Sequence, residues 1–217
     1  MPVEIRDLTE HDAAVYWPLR LRALQEEPQA FGSSYDEAKD RPLAQVAAQL
    51  RDTASGGGGT LGAFADGRLV GMVTLVRYSG AKIAHVGDIF GMYVAPEARG
   101  QHAGRLLLEA VIARARAADG LEQLHLAVVT SQAPAHALYH ALGFQDYGRL
   151  PHALKLPDGR YLNELVFIPG LSLPRRAYLQ LRSPSWMLLP QQKSLSPMSG
   201  CYYLGRERCE MPNGCLQ

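Results

Sequence analysis

Residues 94–107 hold the densest chemistry in the chain: an apolar stretch ends at Pro96, and a turn rich in glycine and charge follows. An amphipathic helix then begins near Gly104. The first amides of a helix have no internal partner and lie at the positive end of its dipole. A loop bent around that end aims several N–H groups at a phosphate. Gly100 and Gly104 allow the backbone to come close, and Arg99 and Arg105 add positive charge. The chemistry on offer is therefore the binding of a phosphorylated ligand. By themselves these residues also suit an ordinary strand-to-helix connection with a surface arginine.

The elements around this loop follow from local signals. Residues 3–8 alternate as a short strand, and Thr9 with Asp12 opens a helix whose apolar residues Val15, Leu19, Leu21 and Leu24 precede Pro28. Residues 31–35 read as a loop and residues 42–50 as a second helix. Residues 56–59 form a four-glycine run, read as a flexible loop; no Lys-Ser or Lys-Thr pair follows to make it a phosphate loop. Asp66-Gly67 separates strands 60–65 and 69–78 as a hairpin turn. A third strand spans 84–94. A helix over 104–118 ends before Gly120, a strand covers 124–129, and a short helix over 134–142 closes at Gly143. A last strand pair brackets Pro157-Asp158-Gly159. This order predicts an α/β or α+β sheet with helices on both faces.

Composition excludes several classes. The chain has 217 residues, 47% hydrophobic, enough for one domain with a real core. A formal net charge of +1 gives no basic field, so no nucleic-acid partner is expected. The first residues lack a signal peptide, and no apolar run reaches the roughly 20 residues of a membrane span, so a cytoplasmic protein without a membrane partner is expected. Cys201, Cys209 and Cys215 are an odd set without nearby histidine, which argues against a disulfide framework or a zinc site. Texture changes after about residue 171. Residues 173–217 contain six Lys/Arg against two Asp/Glu, a net +4 that leaves −3 for the remainder of a +1 chain. The expected organisation is a domain over 3–171 and an irregular extension over 172–217, with Trp186-Met187-Leu188-Leu189 as a candidate anchor.

Two motifs carry a family resemblance. Arg99-Gly100-Gln101-His102-Ala103-Gly104, after Tyr93-Val94-Ala95-Pro96, resembles the Arg/Gln-x-x-Gly-x-Gly/Ala cofactor loop of the GNAT (Gcn5-related N-acetyltransferase) superfamily. Downstream, Gln132-Ala133-Pro134-Ala135-His136-Ala137-Leu138-Tyr139-His140-Ala141-Leu142-Gly143-Phe144 is similar to that family's Asn-x-x-Ala-x-x-Leu-Tyr-x-x-x-Gly-Phe. The departures are His102 for glycine and Gln132 for asparagine. A required positive φ at His102 would cost about 1 kcal/mol. The likeness covers about residues 3–170.

The resemblance implies a central, mostly antiparallel twisted sheet with a splayed parallel strand pair and helices on both faces. It implies acetyl-CoA as cosubstrate and an N-acetyltransferase acting on an amine of a small molecule or protein, in a homodimer as in many relatives. The backbone of Met92, Tyr93 and Val94 would pair with the pantetheine arm and polarise the thioester. Residues 99–105, with Gln132 and Ala135, would complete the cofactor site. Tyr139 would protonate the departing thiolate, although it equally suits a buried aromatic. The family's carboxylate position falls on Val86, which leaves Asp88, two residues on, as the candidate base; Glu164 and His85 are weaker. Asp88 also suits a solvated or capping carboxylate. Phe31, Ser33, Ser34 and Tyr35 are candidates for the acceptor side, and they suit packing and turns as well. A non-catalytic acyl-CoA-binding domain is the competing reading. A general nucleotide binder lacks its glycine signature.

Overall fold

The computed structural model describes residues 2–169; the expected C-terminal extension, its cysteines and its candidate anchor lie outside the described residues. In chain order the elements are β1 (Glu4–Leu8), α1 (Ala13–Glu26), α2 (Tyr35–Ala38), α3 (Leu43–Thr53), β2 (Gly59–Ala65), β3 (Arg68–Arg77), β4 (Val86–Val94), α4 (Ala103–Ala117), β5 (Gln123–Val129), α5 (Ala133–Ala141), β6 (Phe144–Lys155) and β7 (Tyr161–Pro169). The strands form one seven-stranded sheet in the order β1-β2-β3-β4-β5-β7-β6. Among the described strands only β4 and β5 run parallel, joined by α4 as the crossover. This is the mixed sheet expected from the sequence. No helix among the described residues is long and apolar enough to cross a membrane.

Apolar side chains sort onto two faces. One core joins Val73, Leu75 and Ile89 of the sheet to Leu107, Leu108 and Val111 of α4 and to Tyr139 of α5. The other joins Leu8, Met72 and Tyr93 to Tyr16, Trp17 and Leu24 of α1 and to Val46 and Leu50 of α3. Burial on both faces fixes the register of the central strands, because a one-residue slip would exchange the faces.

Local chemistry sets the ends. The Asp12 carboxylate accepts from the Thr9 N–H at 2.8 Å and from Arg6 at 2.8 Å, and the Arg6 bond holds its pKa at about 2. Asp66 and Gly67 both take positive φ, 48° and 73°, the geometry of a two-residue hairpin turn. Two expectations need correction. Residues 31–35 are not all loop: Ser34 caps α2, its Oγ accepting from the Glu37 N–H while its own N–H donates to Glu37 Oε2. The glycine run is not simply a flexible loop, because Gly59 already belongs to β2 and Gly58 is tightly enclosed. A Cβ on Gly58 would lie 2.4 Å from the Thr53 carbonyl and 2.7 Å from that of Leu75. Both are backbone atoms in regular elements and have nowhere to go. Gly58→Ala should therefore destabilise the fold by about 1–3 kcal/mol, read as a Tm lowered by several degrees.

Candidate active site

The site begins where the parallel ladder ends. β4 pairs with β5 only from Val86 opposite Gln123 to Ile89 opposite Leu126. Beyond that rung β4 stays with β3, ending at Gly71 opposite Val94, while β5 continues against β7 to Val129 opposite Glu164. The edge of β4 that faces β5 after Ile89 thus keeps N–H and C=O groups without a strand partner, which is what an added extended ligand needs. A bulge marks the parting. Thr74 pairs with Phe90 and Met72 with Tyr93, so Val73 faces both Gly91 and Met92. Gly91 takes φ 63°, which glycine adopts without steric cost. The extra residue shifts the alternation. Met92 and Val94 now pack on the α4 side with Ile89, and Tyr93 packs against α1.

The loop after β4 delivers the helix terminus to this opening. A single 3-10 turn, Pro96–Ala98, leads to Arg99, then Gly100 at φ 76° and His102 at φ 62°. The backbone bond from Leu106 N to His102 O opens α4, so the N–H groups of Ala103, Gly104 and Arg105 precede its hydrogen-bonded run. Gly104 sits at the junction: a Cβ there would come within 3.3 Å of Met92 Cε and 3.6 Å of Leu138 Cδ2. His102 does occupy the left-handed conformation, with no side-chain capping bond to offset it. Gln101 closes the loop by donating to the Glu97 carbonyl at 3.1 Å.

The arginines are less free than charge alone implies. Arg105 pairs with Glu109 at 2.8 Å. Arg99 donates to the Val94 carbonyl at 3.0 Å and to Glu27 at 3.2 Å. Glu27, just past α1, also accepts from Gln132 at 3.4 Å. It therefore links the loop after β4 to the N-cap of α5 after β5. Nearby, Arg22 of α1 grips Glu97 with two bonds of 2.6 and 2.8 Å. Sequence reading missed Glu27, whose partners lie far away in the chain.

Tyr139 is buried, and burial pushes its phenol up to about 12, so it keeps its proton at neutral pH. Phe144 and Phe167 pack edge-on against its ring. Ala135, one turn earlier on α5, packs on the same core. Asp88 lies one rung before the ladder ends, bonded by the Tyr78 hydroxyl, with His125 opposite it on β5. Glu164 is half-buried, and burial raises its pKa; His85 is exposed before β4 begins. Of the residues expected on the acceptor side, Phe31 stacks under the Arg20 guanidinium at 4.5 Å. Gly32 approaches Leu154 of β6, with a Cβ there 4.0 Å from Leu154 Cδ2. Ser33 and Tyr35 are half-buried, while the Ser34 hydroxyl is committed to its cap. Among the described residues no group of three or more His, Cys, Asp or Glu is placed to hold a metal.

A split sheet edge with a helix N-terminus beneath it is the framework of an acyl-CoA-dependent transferase. The acetyltransferase (GNAT) family model matches residues 20–144, and the chain belongs to that family. An aminoglycoside N(6')-acetyltransferase type 1 from Stenotrophomonas maltophilia is 33% identical over 150 residues, covering 67% of this chain and 88% of its own. A GNAT-family acetyltransferase from Streptococcus pneumoniae superposes with a TM-score of 0.71 at 25% identity, over 77% of this chain and 98% of that one. The fold also matches yncA of Salmonella typhimurium, solved with acetyl-CoA, with a TM-score of 0.69 at 21% identity over 81% and 96%. The activity is acetyl-CoA-dependent N-acetyl transfer to an amine acceptor.

The strain at His102 gives a direct test. His102→Gly should stabilise the fold by about 1 kcal/mol, raising Tm by roughly 2–4 °C, without weakening acetyl-CoA binding. Thermal melts with and without acetyl-CoA read both effects.

Proposed function

We propose that the acceptor is a cationic small molecule carrying primary amines, of the aminoglycoside class, rather than a protein amine. The observation that carries this reading is the pair of carboxylates on the sheet, Asp88 of β4 and Glu164 of β7 opposite Val129 of β5; Glu26 and Glu27 at the end of α1 already pair with Arg22 and Arg99. The relative named as an aminoglycoside N(6')-acetyltransferase supports it. In this reading the domain spans residues 3–171. The backbone of Met92, Tyr93 and Val94 holds the pantetheine arm and polarises the thioester carbonyl. The amides of residues 100–105 receive the phosphates, with Arg99, Gln132 and Ala135 completing the cofactor side. Tyr139, protonated at neutral pH, gives its proton to the leaving thiolate, with burial acting against that transfer by raising the phenol pKa. Asp88 draws the proton from the acceptor ammonium. Phe31, Ser33, Ser34 and Tyr35, with Leu154, bound the acceptor side.

One feature favours a competing reading, a domain that binds acyl-CoA without turnover: both arginines near the loop already have carboxylate partners. Calorimetric titration with acetyl-CoA, followed by turnover on an aminoglycoside and polyamine panel, separates the two. Binding with turnover is expected. Tyr139→Phe should lower kcat by about 100-fold or more while leaving acetyl-CoA affinity within about threefold. Binding without turnover of any amine would establish the non-catalytic reading.

A cytoplasmic homodimer is part of the proposal, since acetyl-CoA is a cytoplasmic metabolite. β6 supports the dimer: it ends the sheet, and Tyr147 on it is 66% exposed. Light scattering on the purified chain should give twice the chain mass; the mass of one chain would reject it.

A further inference from the structure

Asp88 has two neighbours that the roles above leave unused. Tyr78, one residue past β3, donates its hydroxyl to Oδ2 of Asp88. His125, paired with Asp88 across the parallel ladder, brings Nδ1 to 3.5 Å from Oδ1. Oδ1 is buried and has no hydrogen-bond partner among the described residues. The Asp88 side chain is 13% exposed and that of His125 34%, so the carboxylate faces inward while the imidazole reaches water. An open acceptor oxygen, a clamp on its twin and a ring open to solvent therefore meet one rung before β4 and β5 part.

The other charged and titratable groups near this cluster are few. From α1, Arg20 lies over Phe31, with its guanidinium 3.8 Å from a Cβ built on Gly91, and Glu26 is held by the Tyr93 hydroxyl. Asp52 of α3 lines a groove with Val76, the β3 partner of Asp88. Glu164 stands opposite Val129 on β7, and His85 precedes β4. Among these, His125 alone pairs with Asp88 and also opens to solvent.

Acyl transfer from a thioester to an ammonium leaves one surplus proton. The C–S bond breaks, the C–N bond forms, and the nitrogen loses two protons. One ends on sulfur, supplied through Tyr139; the other must leave the site. We infer that Tyr78, Asp88 and His125 form that exit. Asp88 Oδ1 takes the proton of the acceptor ammonium and passes it to His125 Nδ1, from which it reaches solvent. Tyr78 occupies Oδ2 and so fixes Oδ1 as the receiving atom. Gly91 lies three residues along β4, about 10 Å away at ~3.3 Å per residue and further than one water spans, so the proposed route needs a chain of waters and an opening of the buried Oδ1 when the acceptor binds. His125 and Tyr78 act through Asp88 and are positioning residues. The inference rests on Asp88 being the base.

The test uses the full chain with acetyl-CoA and the amine of the panel that turns over fastest. His125→Ala should lower kcat about 10- to 100-fold and leave the acetyl-CoA KM within about twofold. Added imidazole should restore turnover with saturation, and across substituted imidazoles the restored rate should rise with basicity. Tyr78→Phe should lower kcat about tenfold. If His125→Ala does not fold, His125→Gln carries the readout: its kcat should climb with buffer concentration at fixed pH. Full activity in the His125 variants, or a loss that neither imidazole nor buffer repairs, overturns the exit while an inactive Asp88→Asn keeps the base assignment. A fully active Asp88→Asn overturns both. Failure of every amine to react overturns the transferase reading beneath them.

Discussion

The proposed site depends on two parallel strands ceasing to pair. A parallel ladder is normally satisfied along its length, since each unpaired backbone group away from water costs free energy. Here β4 and β5 share four rungs and then follow different partners. The parting leaves that edge of β4 without a strand partner among the described residues, beside the first turn of α4. Separation is maintained from outside the cleft: β3 retains β4 by antiparallel pairing, and β7 retains β5 in the same way. The sheet thus holds open a gap that isolated strands would close.

The bulge at Gly91 makes that gap usable. Without an extra residue, Met92 and Val94 would turn towards α1 and Tyr93 towards α4. With it, Met92 packs against the start of α4, where Gly104 offers no side chain, and the helix terminus approaches the strand closely. Tyr93 instead anchors α1, its hydroxyl donating to Glu26 at 2.5 Å. One glycine in a left-handed conformation therefore sets both how closely α4 approaches the end of β4 and how α1 is attached.

Much of this was legible because its causes are local. Asp66-Gly67 dictates a hairpin, the apolar spacing of 104–118 dictates a helix, and the loop at 99–104 carries its motif in order. At His102 the departure from a glycine-preferring motif raised the question of a positive φ, which the structure answers at 62°. What escaped has non-local causes. Gly91 looks like any strand glycine until the register with β3 is known. The glycine run looks flexible in sequence, yet Gly58 is demanded by two carbonyls from α3 and β3. Ser34-x-x-Glu37 was a readable capping box, passed over because four residues of helix produce no periodicity. Glu27 and His125 acquire meaning only from partners far along the chain. The arrangement around Asp88 was half visible: its strand position was inferred, its partners were not.

Glu27 has a consequence for how the cleft discriminates among anions. Because it already neutralises part of the charge on Arg99, an incoming phosphate there exchanges one counter-charge for another. The net gain is the difference between two pairings, each worth at most about 1 kcal/mol at such exposure. Added salt weakens both sides of the exchange. In the proposed cofactor role the arginine is thus a poor general trap for free anions, and selectivity passes to the directional amides at the start of α4, which a simple ion cannot engage as fully as a shaped diphosphate.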